Sequence, residues 1–285
     1  MKVLAVTDGS KYGRWAVEWT AQIPLTVQPV VRALHVVDVA GVRTPFMIQP
    51  MIVGTRRYLQ DEIKRMEANA KTVKKQTETV LKESGLNGTV IVDRGGVATS
   101  IMKHAKRGVN LLAIGSRGLD TLDRFMLGSV SNYAIHHAPC SVLVVKETPR
   151  PVRRILLAID GSPASDKAVR FLLRYINPAP DGPDREPVMV TIAHVMPDLK
   201  YPGLREAGTM LVQRYVDRVA KAGFQVNESM RLGKTADQIL TAAKQEKADL
   251  IVTGAKGLGA IGRVLLGSVS TRVVQHAACS VLVVR

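Results

Sequence analysis

The sequence is poor in cysteine and lacks long apolar runs. Its two cysteines, Cys140 and Cys279, form no Cys-x-x-Cys pair, which argues against a cysteine zinc site, a dithiol redox motif and a disulfide scaffold. No stretch approaches the roughly 18 apolar residues of a membrane helix. The apolar run at residues 3–6 is too short for the core of a signal peptide. We therefore expect a cytoplasmic protein with no membrane span.

Acidic and aromatic residues are also scarce. The sequence has 24 Asp and Glu against 40 Lys and Arg, a formal net charge of +16, and both halves carry the excess. Such a charge favours anionic partners such as nucleotides, polyphosphate or nucleic acid, although the lysines along residues 64–82 are typical of a solvated helix surface. Aromatic residues make up only 4%, which argues against nucleic acid because single strands stack on aromatic side chains.

An internal repeat runs through the sequence. Its 285 residues, 46% of them apolar, are enough for two domains with separate cores. The matching segments are 2–9 with 154–161, 34–37 with 193–196, 111–118 with 250–257, 127–131 with 266–270, and the C-S-V-L-V-V tails that begin at Cys140 and Cys279. We predict one domain over residues 1–146, a linker over 147–153 that Pro149 and Pro151 keep irregular, and a second domain over 154–285.

Short apolar runs alternate with helical patterns in each copy. In the first copy we predict strands at residues 3–6, 30–37, 89–92, 111–114 and 141–145, and helices at 12–22, 55–84, 98–107 and 129–137. Apolar runs without alternation indicate strands that are buried on both faces. The predicted fold class is α/β: two tandem Rossmann-like domains, each a five-stranded parallel sheet flanked by helices.

Polar and glycine residues collect where such sheets bind ligands, beyond the carboxyl ends of the strands. Asp8 and Asp160 follow the first strand of each copy. A Gly-x2-Gly-x9-Gly-Ser spacing follows the fourth strand; it comprises Gly115, Gly118, Gly128 and Ser129 in the first copy and Gly254, Gly257, Gly267 and Ser268 in the second. We expect Gly115 and Gly118 to let the backbone approach a ligand and to permit positive φ, whereas Gly128 and Ser129 open the next helix. Alternatively, the glycines only turn the backbone.

The start of the helix after this spacing suits a phosphate group. Its first free N–H groups and the positive end of its dipole attract anions, and the hydroxyls of Ser129 and Ser131 can add hydrogen bonds. An aspartate suits a ribose hydroxyl or an adenine amino group. Basic residues recur in register and could balance phosphate charge or be ordinary loop charges; they are Arg117 with Lys256 and Arg124 with Arg263.

Other candidate motifs are weaker. The G-K-T triplet at residues 233–235 lacks the upstream glycine of a Walker A loop, so we interpret it as a turn between a strand and a helix. Residues 257–262 fit G-x-G-x-x-G, but no acidic residue follows them, and we discount a nicotinamide site. We interpret His35 and His194 as packed or capping residues. The apolar segment at residues 41–54 either covers the pocket or a partner surface, or it leads into the long helix; we favour the helix lead-in.

These residues together resemble the universal stress protein family. The resemblance rests on the strand-Asp, L-H-V, I-G-S-R-G-x9-G-S-V-S and P-C-S-V-L-V-V, and most of the pattern occurs twice. It implies the ATP-binding branch and an adenine nucleotide alpha hydrolase-like fold. It also implies dimerisation through the last strand, which here could join the two halves; two molecules could still form a homodimer.

The resemblance also implies which residues contact the nucleotide. In the first copy they are Asp8 and Val36 for adenosine, and Gly115, Gly118, Gly128, Ser129, Val130 and Ser131 for ribose and phosphates. In the second copy they are Asp160, Val195, Gly254, Gly257, Gly267, Ser268, Val269 and Ser270. Ser116 is replaced by Ala255 in the second copy, so we expect the two sites to differ in affinity.

Three functions are compatible with these residues. The first is a stress or signalling protein that binds ATP, ADP or AMP without efficient chemistry, since no catalytic base stands out beside the glycines. The second is a low-turnover ATPase or phosphotransferase that uses Asp8 or Asp160 with Mg²⁺. The third, polyanion binding, rests on net charge alone. The sequence does not identify protein partners.

Overall fold

The computed structural model describes residues 1–41, 55–118, 127–179, 186–196, 202–257 and 266–285. The first copy contains strands β1 (Lys2–Val6), β2 (Val30–Val37), β3 (Gly88–Arg94), β4 (Leu111–Gly115) and β5 (Ser141–Val145). Its helices are α1 (Lys11–Gln22), α2 (Thr55–Glu83), α3 (Val97–Ala105) and α4 (Ser129–His137). The predicted alternation of strands and helices is confirmed, with boundaries that shift by one or two residues.

The second copy repeats this order. Its strands are β6 (Arg154–Ile159), β7 (Met189–Met196), β8 (Gln225–Leu232), β9 (Leu250–Gly254) and β10 (Ser280–Val284). Its helices are α5 (Pro163–Tyr175), α6 (Pro202–Ala220), α7 (Thr235–Gln245) and α8 (Ser268–His276). Gly233 and Lys234 of the G-K-T triplet connect β8 to α7, which begins at Thr235, as predicted, and Gly233 has a φ of +117° that suits a turn.

The two copies share one ten-stranded sheet, in the order β3-β2-β1-β4-β5-β10-β9-β6-β7-β8. All neighbours inside a copy are parallel, whereas β5 and β10 pair antiparallel with Leu143 opposite Leu282. The expectation that the last strands join the two halves is confirmed within the molecule. In each copy the strand order reverses between the first and fourth strands. We call this place the switch point of the copy.

The core lies on both faces of the sheet and continues across the β5–β10 seam. Every residue of β4, β5, β9 and β10 is buried, which confirms two-sided burial for the inner strands. The expectation is wrong for residues 89–92, because β3 forms an outer edge of the sheet and its side chains are only partly buried or exposed. Both cysteines are buried free thiols.

Candidate functional site

The candidate residues of each copy meet at its switch point. β1 and β4 are parallel neighbours, with Val6 beside Ile114, so the loops after these strands lie side by side. Asp8 follows β1 by two residues, and Gly115 is the last residue of β4. The second copy repeats this placement with Asp160 after β6 and Gly254 at the end of β9. Crevices at such points are where open α/β sheets bind ligands.

A tight turn fixes each aspartate. Asp8 Oδ1 accepts a hydrogen bond of 2.9 Å from the N–H of Ser10, and the Ser10 hydroxyl accepts from the N–H of Gly13 at 3.1 Å, which caps α1. Gly9 between them has a φ of +86°. The second copy forms the same turn at Asp160, Gly161 and Ser162, with φ +81° at the glycine. The repeated D-G-S triplet is a sequence signal for this turn that the predictions above missed.

Gly115 and Gly254 serve helix packing. The described glycines with positive φ do not include any glycine of the Gly-x2-Gly-x9-Gly spacing, so the expectation of positive φ at Gly115 and Gly118 is wrong. A Cβ on Gly115 would lie 2.8 Å from the carbonyl carbon and oxygen of Tyr12, and one on Gly254 would lie 2.7 Å from those of Ala164. These two glycines let the first helix of each copy pack closely against the end of the fourth strand.

Gly118 and Gly257 border the aspartates. A Cβ on Gly118 would lie 2.7 Å from Asp8 Oδ2, and one on Gly257 would lie 2.6 Å from Asp160 Oδ2. The loop after the fourth strand therefore touches the carboxylate that follows the first strand. This contact brings two of the sequence-predicted elements, the aspartate and the second glycine, into one crevice in each copy.

Gly128 and Gly267 begin the helices of the predicted phosphate sites. They are the N-cap residues of α4 and α8, and neither helix has a side chain that caps its first N–H groups. A Cβ at either position would meet its nearest described neighbour at 3.5–3.6 Å, an ordinary contact, and φ is −61° and −72°. The packing of the described residues therefore does not require glycine at either position.

The serines at the start of these helices have different partners. Ser131 and Ser270 are buried, and their hydroxyls donate to the backbone oxygens of Gly115 at 2.7 Å and Gly254 at 2.8 Å. The Ser131 proton thus ties α4 to β4, and a hydrogen bond between this hydroxyl and a ligand stays a prediction. Ser129 and Ser268 are exposed at the first helical position. Val130 and Val269 lie on the first turn of the same helices.

The paired basic residues differ between the copies. Arg117 Nη1 donates to the hydroxyl of Tyr12 at 2.6 Å, and the guanidinium lies over the Tyr12 ring at 5.3 Å. Arg117 Nε is buried without an acceptor among the described residues, an arrangement that costs free energy until an acceptor is supplied. Lys256, its counterpart, is exposed. Arg124, Arg263 and residues 42–54 lie outside the described residues.

The second strand completes each crevice. Val36 and Val195 lie near the carboxyl ends of β2 and β7 and are half-buried. The ring nitrogen Nδ1 of His35 lies 3.0 Å from the backbone oxygen of Thr7, and that of His194 lies 3.1 Å from that of Ile159. The prediction that these histidines are packed residues is confirmed: they join the second strand to the first.

Neither a metal-ligand cluster nor a membrane span is found in the described ranges. No group of three or more His, Cys, Asp or Glu side chains there is arranged to hold a metal ion. None of the helices in the same ranges has both the length and the apolarity needed to cross a bilayer.

Comparisons with known proteins agree with this geometry. The model of the universal stress protein family matches residues 1–146 and again residues 151–285. Universal stress proteins of Mycolicibacterium smegmatis and Mycobacterium tuberculosis are each 28% identical over 310 residues, covering 99% of this sequence and 96% of theirs. The crystal structure of a universal stress protein from Archaeoglobus fulgidus has a TM-score of 0.71 at 21% identity and covers 100% of this protein and 98% of its own length, so the two share a fold.

Proposed function

This protein belongs to the universal stress protein family, and we propose that it is a stress or signalling protein that binds an adenine nucleotide, with one site in each copy. The observation that carries the proposal is the pair of uncapped helix starts at Gly128 and Gly267. Each helix start offers N–H groups and the positive end of a helix dipole, and a residue of the preceding loop, Gly118 or Gly257, borders the aspartate of the same copy. Phosphate is the group that such a helix start suits.

The remaining side chains are suited to adenosine and to phosphate charge. Asp8 and Asp160 would accept hydrogen bonds from hydroxyl or amino groups of adenosine. The half-buried Val36 and Val195 would contact the base. Arg117 would give its buried Nε–H to a phosphate oxygen, which would satisfy a donor that has no acceptor among the described residues. In the second copy Lys256 would supply a more mobile charge.

Mg²⁺ would accompany a triphosphate mainly through the phosphate oxygens. Such an ion needs only one or two protein carboxylates, and Asp8 or Asp160 would be the carboxylate that the crevice offers. Bound Mg²⁺ would neutralise phosphate charge. The cytoplasmic location and the domain limits given above remain predictions.

Titration calorimetry with nucleotide-free protein tests the proposal. We expect ATP, ADP or AMP to bind to two sites per molecule, and Gly128→Ala with Gly267→Ala to weaken binding at least tenfold, because each new methyl group would lie at the N-cap, where a bound phosphate would approach the backbone. Gly96→Ala is the matched control, since Gly96 is also an N-cap glycine without a side-chain cap and has room for a Cβ.

The outcome that rejects the proposal is equally definite. It fails if stripped wild-type protein binds none of the three nucleotides. It also fails if the Gly128→Ala/Gly267→Ala variant binds as tightly as wild type. Thermal unfolding of both glycine variants, compared with Gly96→Ala, checks that any loss of affinity is not a loss of folded protein.

A further inference from the structure

A cation follows each of the two strands that form the seam between the copies. Lys146 comes directly after β5, and Arg285 comes directly after β10. Lys146 Nζ donates to the backbone oxygens of Gln275 at 3.0 Å and Ala277 at 2.7 Å, at the C-terminus of α8. Arg285 Nη2 donates to the oxygen of Ile135 at 2.5 Å, in the last turn of α4. Each copy therefore supplies a cation to the helix of the other.

The backbone N–H groups of the two cationic residues also form hydrogen bonds with the opposite copy. The N–H of Lys146 donates to the Ser280 hydroxyl at 3.2 Å, and the N–H of Arg285 donates to the Ser141 hydroxyl at 3.4 Å. Both serines begin the strand of the opposite copy. The two cations thus occupy equivalent positions on either side of the β5–β10 seam.

The helices that receive the cations are those that begin at the predicted phosphate sites. α4 and α8 have nine residues each, which gives a length of about 13 Å. A positive charge at the C-terminus of a helix balances the negative end of its dipole and satisfies terminal carbonyl groups. The cation and the predicted phosphate would therefore stabilise the same helix from opposite ends.

Hydrogen bonds also join the strand before each cation to the residue that follows the fourth strand of the same copy, which is Ser116 or Ala255. The N–H of Ser116 donates to the oxygen of Val145 at 2.7 Å, and the N–H of Gly128 donates to the oxygen of Ser116 at 2.9 Å. In the second copy the N–H of Ala255 donates to the oxygen of Val284 at 2.8 Å. A continuous path thus runs from one predicted site, through the end of the strand, to the helix of the other.

Burial makes these positions costly for a cation. Desolvation lowers the pKa of Lys146 to about 8, with Arg117 acting in the same direction and Cys279 in the opposite one. Desolvation also lowers the pKa of Arg285. The Lys146 ammonium makes no ion pair with the residues that the structure describes, and its hydrogen bonds go to helix carbonyls. An apolar residue here would avoid the desolvation but would leave those carbonyls without the ammonium.

We propose that Lys146 is a positioning residue for the nucleotide site of the second copy and Arg285 for that of the first. The inference rests on the proposed nucleotide sites and adds that the sites are linked across the seam. Each cation anchors the C-terminal end of the helix whose N-terminus binds phosphate. Neither cation touches the nucleotide itself.

Single-site backgrounds test this assignment. Gly128→Ala leaves the site of the second copy, and Gly267→Ala leaves that of the first. ATP binding is measured by calorimetry at pH 7, below the pKa of Lys146. We expect Lys146→Met to weaken ATP binding by the second copy roughly fivefold. The first copy should change by less than about twofold, through the loss of a positive charge that acts on Arg117. Arg285→Met gives the opposite pattern.

Conservative variants separate charge from packing. Lys146→Arg and Arg285→Lys keep the charge, and we expect them to restore affinity to within about twofold of each background. Lys146→Gln keeps a donor but removes the charge, and we expect it to weaken binding as Lys146→Met does. If Lys146→Met does not fold, Lys146→Gln and Lys146→Arg provide the same comparison.

The two proposals fail in different ways. If stripped wild-type protein binds none of ATP, ADP and AMP, the proposed function fails and the inference fails with it. If wild type binds ATP but neither single-site background does, only the inference fails. If both backgrounds bind ATP and each cation variant weakens the site of its own copy, both sites equally or neither site, only the inference is overturned. The inference is also overturned if Lys146→Met and Arg285→Met weaken ATP binding at the site of the opposite copy but Lys146→Arg and Arg285→Lys do not restore it.

Discussion

The two copies share a backbone plan but differ in the side chains around the aspartate. In the second copy the Ser165 hydroxyl lies 2.7 Å from Asp160 Oδ1 and accepts from the N–H of Asp160 at 2.9 Å. In the first copy Gly13 takes that position, and a Cβ there would lie 2.6 Å from Asp8 Oδ1. The second crevice thus has a hydroxyl beside the carboxylate where the first has the backbone of a glycine.

The basic residue at the crevice differs in the same sense. Arg117 is held by the ring and hydroxyl of Tyr12, whereas the second copy has Ala164 and an exposed Lys256 at the matching positions. A held guanidinium loses less freedom on binding a phosphate than a mobile ammonium does. The repeat therefore preserves helix starts and close contacts, while the side chains that would tune affinity have diverged.

The largest expected effect tests what the two copies have in common. Gly115→Ala and Gly254→Ala each place a Cβ within 2.8 Å of backbone atoms of the first helix, which cannot move aside as flexible side-chain atoms do. We expect each to lower the free energy of unfolding by roughly 2–3 kcal/mol in urea titrations. Gly128→Ala and Gly267→Ala are the controls, with changes within about 0.5 kcal/mol. Similar losses at all four positions would contradict this division of roles.

The next effect concerns the hydroxyl that only the second copy has. Ser165→Ala removes one donor to Asp160 Oδ1 and one acceptor for the Asp160 N–H. We expect a loss of about 1–2 kcal/mol in the free energy of unfolding, measured by urea titration. Ser268→Ala, at a helix start without a side-chain cap, is the control and should cost less. Equal losses for the two serines would mean that the Asp160 contacts contribute nothing specific.

The two matched cysteines can be compared by their effect on the free energy of unfolding at alkaline pH. Burial raises the pKa of Cys140 to about 11 and that of Cys279 to about 12. Because the folded pKa lies above the unfolded value of about 9, each thiol contributes stability that is fully present below that value and is lost as the pH rises through the folded pKa. We expect Cys140→Ala and Cys279→Ala each to reduce the fall in unfolding free energy between about pH 7 and 10 by about 1 kcal/mol.

Urea titrations of both cysteine variants at the two pH values check this expectation. The sign follows from the thiolate: above its ordinary pKa the unfolded thiol loses a proton that the buried thiol keeps, so alkali favours unfolding. The comparison uses the change with pH, so the packing cost of each alanine cancels. A fall of the same size in wild type and in both variants would show that the thiols titrate as they do when unfolded.

The smallest effect is on the basic residue of the first copy. Tyr12→Phe keeps the ring under Arg117 and removes the hydroxyl that accepts from Nη1. We expect ATP binding by the first copy to weaken roughly threefold, measured in the Gly267→Ala background. The same substitution in the Gly128→Ala background, where only the second site remains, should change nothing. An effect of equal size in both backgrounds would argue against a local role for Tyr12.

Local patterns predicted the crevices well, but not the partners of individual atoms. The glycine spacing correctly marked the end of β4 and the start of α4, because both depend on short stretches of sequence. It did not reveal that Tyr12 packs on Gly115 or that the Ser131 hydroxyl bonds to Gly115. Those contacts join segments that the sheet brings together, and no periodicity within either segment encodes them.

The sequence by itself determined the repeat, the strands and helices, and the positions of the two helix starts, since apolar periodicity and glycine placement act over a few residues. Only the tertiary structure decided which cation meets which helix. Lys146 lies 129 residues from Gln275, and Arg285 lies 150 residues from Ile135. These pairs meet because β5 and β10 run antiparallel, and the direction and register of that pairing depend on the packing of both sheet faces together.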